Sequence, residues 1–263
     1  MDTKGKIDNH FFGIVKYKMI SVCLATYNGE KFIQEQLNSI LCQIGEEDEV
    51  IVSDDFSNDK TLEIIRGIND KRIKIFQNNL YKKPQKFSFE QITLNFENAI
   101  RHANGDLIFL CDQDDIWHTN KTSVIKAEIG ENFAIVHDCR VIDKKDNQIF
   151  ASYFDFIGAK KGILKNIIKC SYLGSCMAFK KELINFILPI PQKVPHDLWI
   201  ALIADYKKSL KLLKTPLIDY CRHEKSNSTT TKRSGKSLWY KASYRFFILF
   251  EFLNRIFVFS KNY

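Results

Sequence analysis

Two absences narrow the reading before any motif is considered. The seven cysteines (Cys23, Cys42, Cys111, Cys139, Cys170, Cys176 and Cys221) include no CxxC pair and are odd in number. Several lie in apolar runs, where cysteine behaves as a small buried hydrophobe, so a reducing compartment is expected and a disulfide framework is not. No run approaches the ~20 apolar residues that cross a bilayer. The opening MDTKGKIDNHFFG has neither an apolar signal region nor a small-residue cleavage site. The expected location is the cytoplasm, free or peripheral on the inner face of the cell membrane. Internal repeats and low-complexity segments are also missing.

What is present suits one large α/β domain or two small ones: 263 residues, 45% of them hydrophobic, can enclose a full core. A net charge of +8 asks for an anionic partner, and nucleic acid, an acidic membrane surface or a phosphorylated substrate would each serve. A nucleic-acid module would want clustered basic residues interleaved with stacking aromatics. Acidic clusters at the strand ends oppose that reading electrostatically, so no nucleic acid partner is expected.

The first half alternates strand and helix. Residues 19–25 form an apolar strand ending in Thr26-Tyr27-Asn28-Gly29, a turn signal. Ile33, Leu37, Ile40 and Leu41 share one helical face. A second strand, 49–53, runs into Asp54-Asp55, and Ser57 is placed to cap a helix carrying Leu62, Ile65 and Ile68. Residues 72–76 read as a third strand and 77–90 as a basic loop with Lys82, Lys83 and Lys86. A helix with Ile92, Phe96, Ala99, Ile100 and Ala103 on one stripe stops at Gly105. The unbroken apolar strand 107–111 then ends in Asp112-Gln113-Asp114-Asp115. Continuous apolar strands alternating with helices imply a mostly parallel central sheet with helices on both faces. Ligands bind beyond the carboxyl ends of such strands, where Thr26, Asp54-Asp55 and the 112–115 acids converge.

The second half is less regular. Short strands and a loop are expected over 133–160, a strand at 175–179 and a helix at 197–204. A linker-like stretch at 224–236 precedes a C-terminal helix.

Three carboxylates within residues 112–115 repel one another unless a cation joins them. Hard oxygen ligands suit Mg²⁺ or Mn²⁺, which complete their shells with phosphate oxygens. An isolated DxDD is an acidic turn; one that closes a buried strand is a metal and phosphate site. Asp54 and Asp55 can accept hydrogen bonds from a ribose hydroxyl or a nucleobase N–H, or else cap the following helix.

Taken together, SVCLATYNGEKFIQEQLNSIL, EVIVSDDFSNDKTLEII, NFENAI and GDLIFLCDQDDIW resemble the family 2 glycosyltransferases of the GT-A fold. GSCMAF at 174–179, PHDLWI at 195–200 and YCRH at 220–223 resemble the acceptor half of the same family. The resemblance implies an N-terminal extension (1–18), a catalytic domain (19–230) split into a nucleotide-sugar half (19–125) and an acceptor half (126–230), and a basic, aromatic C-terminal helix (231–263). It implies an inverting enzyme that moves a sugar from a nucleoside diphosphate, a UDP- or dTDP-sugar, to a hydroxyl of a glycan or lipid-linked saccharide in cell-surface polysaccharide synthesis. A sugar nucleotidyltransferase is the enzyme alternative, but it would carry a Gly-rich basic loop where this chain has ATYNGEKF. A non-catalytic nucleotide-sugar-binding relative is the other.

The resemblance also implies roles. Thr26, Tyr27, Asp54, Asp55, Asp112, Gln113 and Trp117 would line the nucleotide-sugar site, with Trp117 on its rim. Asp114, Asp112 and His223 would hold the metal. Asp197 would be the catalytic base, although an Asp ahead of an apolar helix is also a capping residue. Gly174, Ser175, His196 and Trp199 would meet the acceptor; His196 reads otherwise as a solvated loop residue. The Tyr220-Cys221-Arg222-His223 order departs from the family's Tyr-Arg-x-His by one position of the arginine.

Ser237, Lys241, Arg245, Glu251 and Arg255 fall along one face of the C-terminal helix and leave Phe246, Phe247, Leu249, Phe250, Leu253 and Phe257 to the others. With Lys232, Arg233 and Lys236 just upstream, residues 236–260 suit a helix lying in an anionic membrane interface, or one packed on the domain or a partner.

Overall fold

Apolar runs covered on both faces become the centre of a sheet, and three such runs do so here. The structure, a computed structural model, describes residues 17–80, 89–222 and 237–262. Strands β1 (Ile20–Thr26), β2 (Glu49–Asp54), β3 (Ile73–Gln77) and β4 (Leu107–Asp112) occupy the expected segments. They are joined by helices α1 (Ile33–Leu41), α2 (Thr61–Gly67) and α3 (Phe89–His102). All four strands are parallel, in the order β3-β2-β1-β4. β1, β2 and β4 are buried almost throughout, whereas β3, at the edge, is half-buried.

Beyond β4 come β5 (Ile116–Trp117), α4 (Lys121–Glu128), β6 (Ala134–Asp143), β7 (Gln148–Phe150), α5 (Tyr153–Ile157) and α6 (Ile163–Ile168). A 3₁₀ turn at Gly174–Cys176 leads into β8 (Met177–Lys180), followed by α7 (Ile184–Ile187), α8 (His196–Tyr206), β9 (Leu210–Arg222) and α9 (Leu238–Asn262). The sheet continues β4-β8-β6-β9-β5, with β7 on β6. β8 is antiparallel to both β4 and β6, and β9 is parallel to β6. The carboxyl ends of β1, β2, β4, β6 and β9 therefore all point to one end of the sheet. The parallel character expected of the sheet holds in its first half, and the second half adds antiparallel pairs.

The irregular second half contains the two longest strands, β6 and β9. Their pairing slips at His137/Asp138 and again at Asp138/Arg140, and Pro216 pairs with Asp138 at the break. Bulges tolerate a proline and shift the alternation, which hides a long strand from a period-two reading.

Ser57 does not cap α2. Its hydroxyl donates to Asp54 Oδ1 at 2.6 Å and accepts from the Asn28 amide, tying the loops after β1 and β2 together. The first amide of α2, on Thr61, is taken by Asp59 Oδ1 instead.

Candidate functional site

The site is built where β1, β2 and β4 end. Gln113 bridges two of these ends: its Oε1 accepts from Thr26 Oγ1 at 2.6 Å and the Tyr27 amide at 2.9 Å, and its Nε2 donates to Tyr27 O at 3.1 Å. From beneath, Asn95 of α3 donates to Thr26 O and accepts from Ser53 Oγ, while Asn98 donates to the same Ser53 hydroxyl. Buried amides satisfied in this way hold both strand ends rigidly.

The acids divide by exposure. Asp54, Asp55 and Asp115 are buried, whereas Asp112, Asp114 and Asp197 remain partly open. Asp54 accepts from both the amide and the hydroxyl of Ser57, so it organises a turn. Asp55 accepts from Asn78 Nδ2 at 3.2 Å. Phe56, the next residue, sits at φ 61°. That left-handed backbone is costly for a bulky side chain, by about 1–3 kcal/mol, and tends to occur at functional loops.

Asp112 and Asp197 are distant in sequence, yet the charge of Asp197 acts on the Asp112 carboxyl. Burial first, then the charges of Asp114 and Asp197, push the Asp112 carboxyl up to about 7. Asp197 lies in the first turn of α8, where its Oδ1 accepts from the Leu198 amide at 2.7 Å. Burial raises it to about 6. Asp197 is not the cap of α8: Pro195 holds that position and no side chain caps the helix, so the carboxyl stays partly open.

The donor set fits a divalent cation shared with a substrate. Among the described residues, no three His, Cys, Asp or Glu side chains form a metal cage of their own. Mg²⁺ and Mn²⁺ often bind through one or two carboxylates plus phosphate oxygens, and Asp112 with Asp114 supply such a pair. A cation there would offset the repulsion that raises Asp112. His223 lies outside the described residues, as do Lys82, Lys83 and Lys86.

Several expected contacts change place. Trp199 is fully buried; its Nε1 donates to Ile187 O at 2.9 Å and the Arg255 guanidinium covers its ring. It is a core residue and cannot meet an acceptor. Trp117 is not on a rim: it is buried against Phe109, with Lys121 Nζ 4.0 Å from its ring centroid. His196 is not solvated. It stacks on Phe96 with centroids 4.0 Å apart, and burial lowers it to about 3, so it is neutral. Gly174 is packed against that imidazole, where a Cβ would come within 3.3 Å of Cε1. Gly174 and Ser175 are both buried, forming the floor under the acids.

Lys121 escaped the sequence reading, and Asp115 was read only as one of the clustered acids. Asp115 is buried between the ends of β4 and β9: its Oδ1 accepts from the Cys221 amide at 3.3 Å. Burial and the charges of Asp114 and Asp112 hold its carboxyl well above the ordinary range. Lys121, at the start of α4, is fully buried and donates to Ser175 O at 2.9 Å. It is the ammonium under the acidic cluster, and its charge favours ionisation of Asp112. A lysine opening a helix after an acidic turn reads as solvated, so burial was its only signal.

Comparison with known proteins follows this geometry. The sequence model described as Glycosyl transferase family 2 matches residues 21–188. The chain is similar to the UDP-Glc:alpha-D-GlcNAc-diphosphoundecaprenol beta-1,3-glucosyltransferase WfgD of Escherichia coli, 25% identical over 71% of this chain and 70% of that one. It is also similar to the dTDP-rhamnosyl transferase RfbG of Shigella flexneri, 29% identical over 84% of this chain and 77% of that one. Among solved structures, S. aureus TarS 1-349 in complex with UDP-GlcNAc superposes with a TM-score of 0.61 at 21% identity, covering 92% of this chain and 73% of that one. At that identity the likeness establishes the fold, a curled α/β sheet of the GT-A kind.

Proposed function

The chain belongs to glycosyl transferase family 2 and is a glycosyltransferase, and on that premise we propose a single inverting transfer from a nucleoside-diphosphate sugar to an acceptor hydroxyl. The observation that carries this reading is the convergence of Asp112, Asp114 and Asp197 in one partly open site at the strand ends. Asp197 takes the proton of the acceptor hydroxyl as its oxygen bonds to the anomeric carbon. The bond from that carbon to the β-phosphate oxygen breaks, and the nucleoside diphosphate leaves with the electron pair. One displacement inverts the anomeric centre and needs no covalent intermediate.

Asp112 and Asp114 would hold a divalent cation, Mn²⁺ or Mg²⁺, together with the diphosphate, and His223 is a further candidate ligand. Such a cation supplies charge neutralisation for the leaving phosphate. The chain's own residues do the rest. Lys121 ties the start of α4 to the Gly174–Cys176 turn, the buried Asp115 ties the acidic loop to β9, and Gln113 keeps that loop against Thr26 and Tyr27. Tyr27, Asp55 and the loop around Phe56 are the candidates for nucleoside contact.

The relatives' names support a UDP- or dTDP-sugar as donor and a lipid-linked saccharide as acceptor in cell-surface polysaccharide synthesis. Residues 19–230 are proposed as the catalytic unit, with the parallel half, 19–125, for the donor and 126–230 for the acceptor. No helix among the described residues is long and apolar enough to cross a membrane, and action from the cytoplasmic side is proposed.

The test is a thermal-shift screen of UDP-, dTDP- and GDP-sugars with and without Mn²⁺. A ligand that binds only the folded state raises Tm. One nucleotide class should stabilise the protein only with metal, and Asp114→Ala should abolish that shift. Equal stabilisation without metal, or in Asp114→Ala, would overturn the metal assignment.

A further inference from the structure

α9 turns an uncharged face outward. Every exposed residue from Leu238 to Ser260 is apolar or neutral, with Trp239 85% and Phe246 70% exposed. Phe250, Leu253 and Phe257 continue the stripe at helical spacing; from Trp239 to Phe257 it runs about 27 Å at 1.5 Å per residue. The helix already has a packed side, because Ile248 and Phe252 are buried in the core. Lys241, Arg245, Glu251 and Arg255 are half-buried, and two of them bond to the domain: Arg245 Nε donates to Ile168 O at 3.0 Å, and Arg255 Nη1 to Phe186 O at 2.8 Å. The charged stripe expected on this helix thus serves the domain, and the aromatic stripe is left uncovered.

α6 adds a second patch beside it. Leu164 and Ile168 are 65% and 60% exposed, and Lys160, Lys161, Lys165 and Lys169 around them are exposed too. No Asp or Glu occurs between Asp155 and Glu182. The Arg245–Ile168 bond ties this patch to the part of α9 that carries Phe246. Isolated exposed hydrophobics need no explanation, but a long aromatic stripe next to four exposed lysines does, and Asp205, the acid beside them, is taken by the Gly162 amide. Apolar side chains that reach the acyl boundary, with lysines at headgroup level, match an anionic lipid surface in both shape and charge. A protein partner would satisfy the apolar stripe and leave the lysines unexplained.

We propose that α6 and the outer face of α9 together dock this protein onto an anionic lipid bilayer. The surface adjoins the acceptor side of the site. α9 packs on α8, whose first turn carries Asp197: the Arg255 guanidinium lies 5.0 Å from the ring centroid of Trp199, two residues beyond that carboxylate. An acceptor anchored in the same bilayer would reach Asp197 without leaving the surface. This last step rests on the function proposed above; the docking surface does not.

The experiment is co-sedimentation of the full chain with phosphatidylcholine vesicles, with and without phosphatidylglycerol, alongside sedimentation velocity without lipid. The wild type should pellet with anionic vesicles and much less with neutral ones. Phe250→Glu/Phe257→Glu should lose both. Lys165→Glu/Lys169→Glu should bind anionic vesicles at least about 25-fold more weakly, roughly fivefold per lysine. Both variants should keep the nucleotide-dependent thermal shift, which separates failure of docking from failure of the donor site. Absence of wild-type pelleting, or pelleting unchanged in either variant, would overturn the proposal. So would a wild-type dimer that Phe250→Glu/Phe257→Glu converts to a monomer, since the face would then belong to a second copy.

Discussion

The Gln113 side-chain amide closes a ring of three hydrogen bonds with Thr26 and Tyr27, joining the end of β4 to the end of β1. The polar residue inside the acidic motif is thus a clamp on the neighbouring strand. Gln113→Leu should lower stability by about 2–3 kcal/mol, near 1 kcal/mol for each bond lost. Urea unfolding measures this directly. Gln113→Glu should also weaken donor binding, because a carboxylate cannot donate to Tyr27 O and adds charge beside Asp112 and Asp114. A stable Gln113→Leu variant would show that the clamp is dispensable.

Asp197 sets a pH dependence. Its folded pKa is raised to about 6 by burial, and a base acts only when ionised. Turnover should therefore fall as pH drops through about 6 and level off above it. Asp197→Asn should cost roughly 10²–10⁴ in kcat, the range for a positioned general base, with the nucleotide thermal shift retained. Full activity in Asp197→Asn would remove the base from this residue.

Lys121 is fully buried between Ser175 O and the Trp117 ring. Lys121→Met keeps much of the volume and deletes the charge below Asp112 and Asp115. Losing the charge-assisted bond to Ser175 O and the contact with the Trp117 ring costs about 2–4 kcal/mol, and a drop in Tm should show it. Lys121→Arg should not restore the wild-type value, because a planar guanidinium is larger than the pocket that holds an ammonium.

Arg72 holds the edge strand to α1 by donating to Leu41 O at 3.0 Å, Ile44 O at 2.8 Å and both oxygens of Asp70. Arg72→Ala should destabilise by about 2–4 kcal/mol. Hydrogen bonds from Arg72 depress the Asp70 carboxyl to about 2. Its folded value lies below the unfolded one, so this stabilisation is complete above about 4 and disappears as pH falls through about 2. Acid unfolding of Arg72→Ala should lack that component.

The nucleotide half was legible because strand burial and strand pattern coincide there. Residues 19–25, 49–53 and 107–111 form buried strands, and acids follow directly on the second and third. β9 was not legible. Pro216 and the slips beside Asp138 break its alternation, and lysines 211 and 214 make it look like a loop. Trp199 and Trp117 were placed at the ligand by the resemblance of their motifs to the family. Packing turned both inward.

By itself the sequence determined the parallel first half, the position of the acids at its carboxyl end and the family, since each rests on local pattern and motif spacing. Only the tertiary structure decided which acids stay open. Exposure depends on what crosses over each strand end: Asp54 is covered locally by Ser57, Asp115 from far along the chain by Cys221, and Asp112 and Asp197 stay partly exposed. It also decided the orientation of α9. The helix buries Ile248 and Phe252 and draws Arg245 and Arg255 to backbone carbonyls of the domain. An arginine can satisfy carbonyls left open at helix ends, as phenylalanine cannot, so the aromatic stripe faces outward.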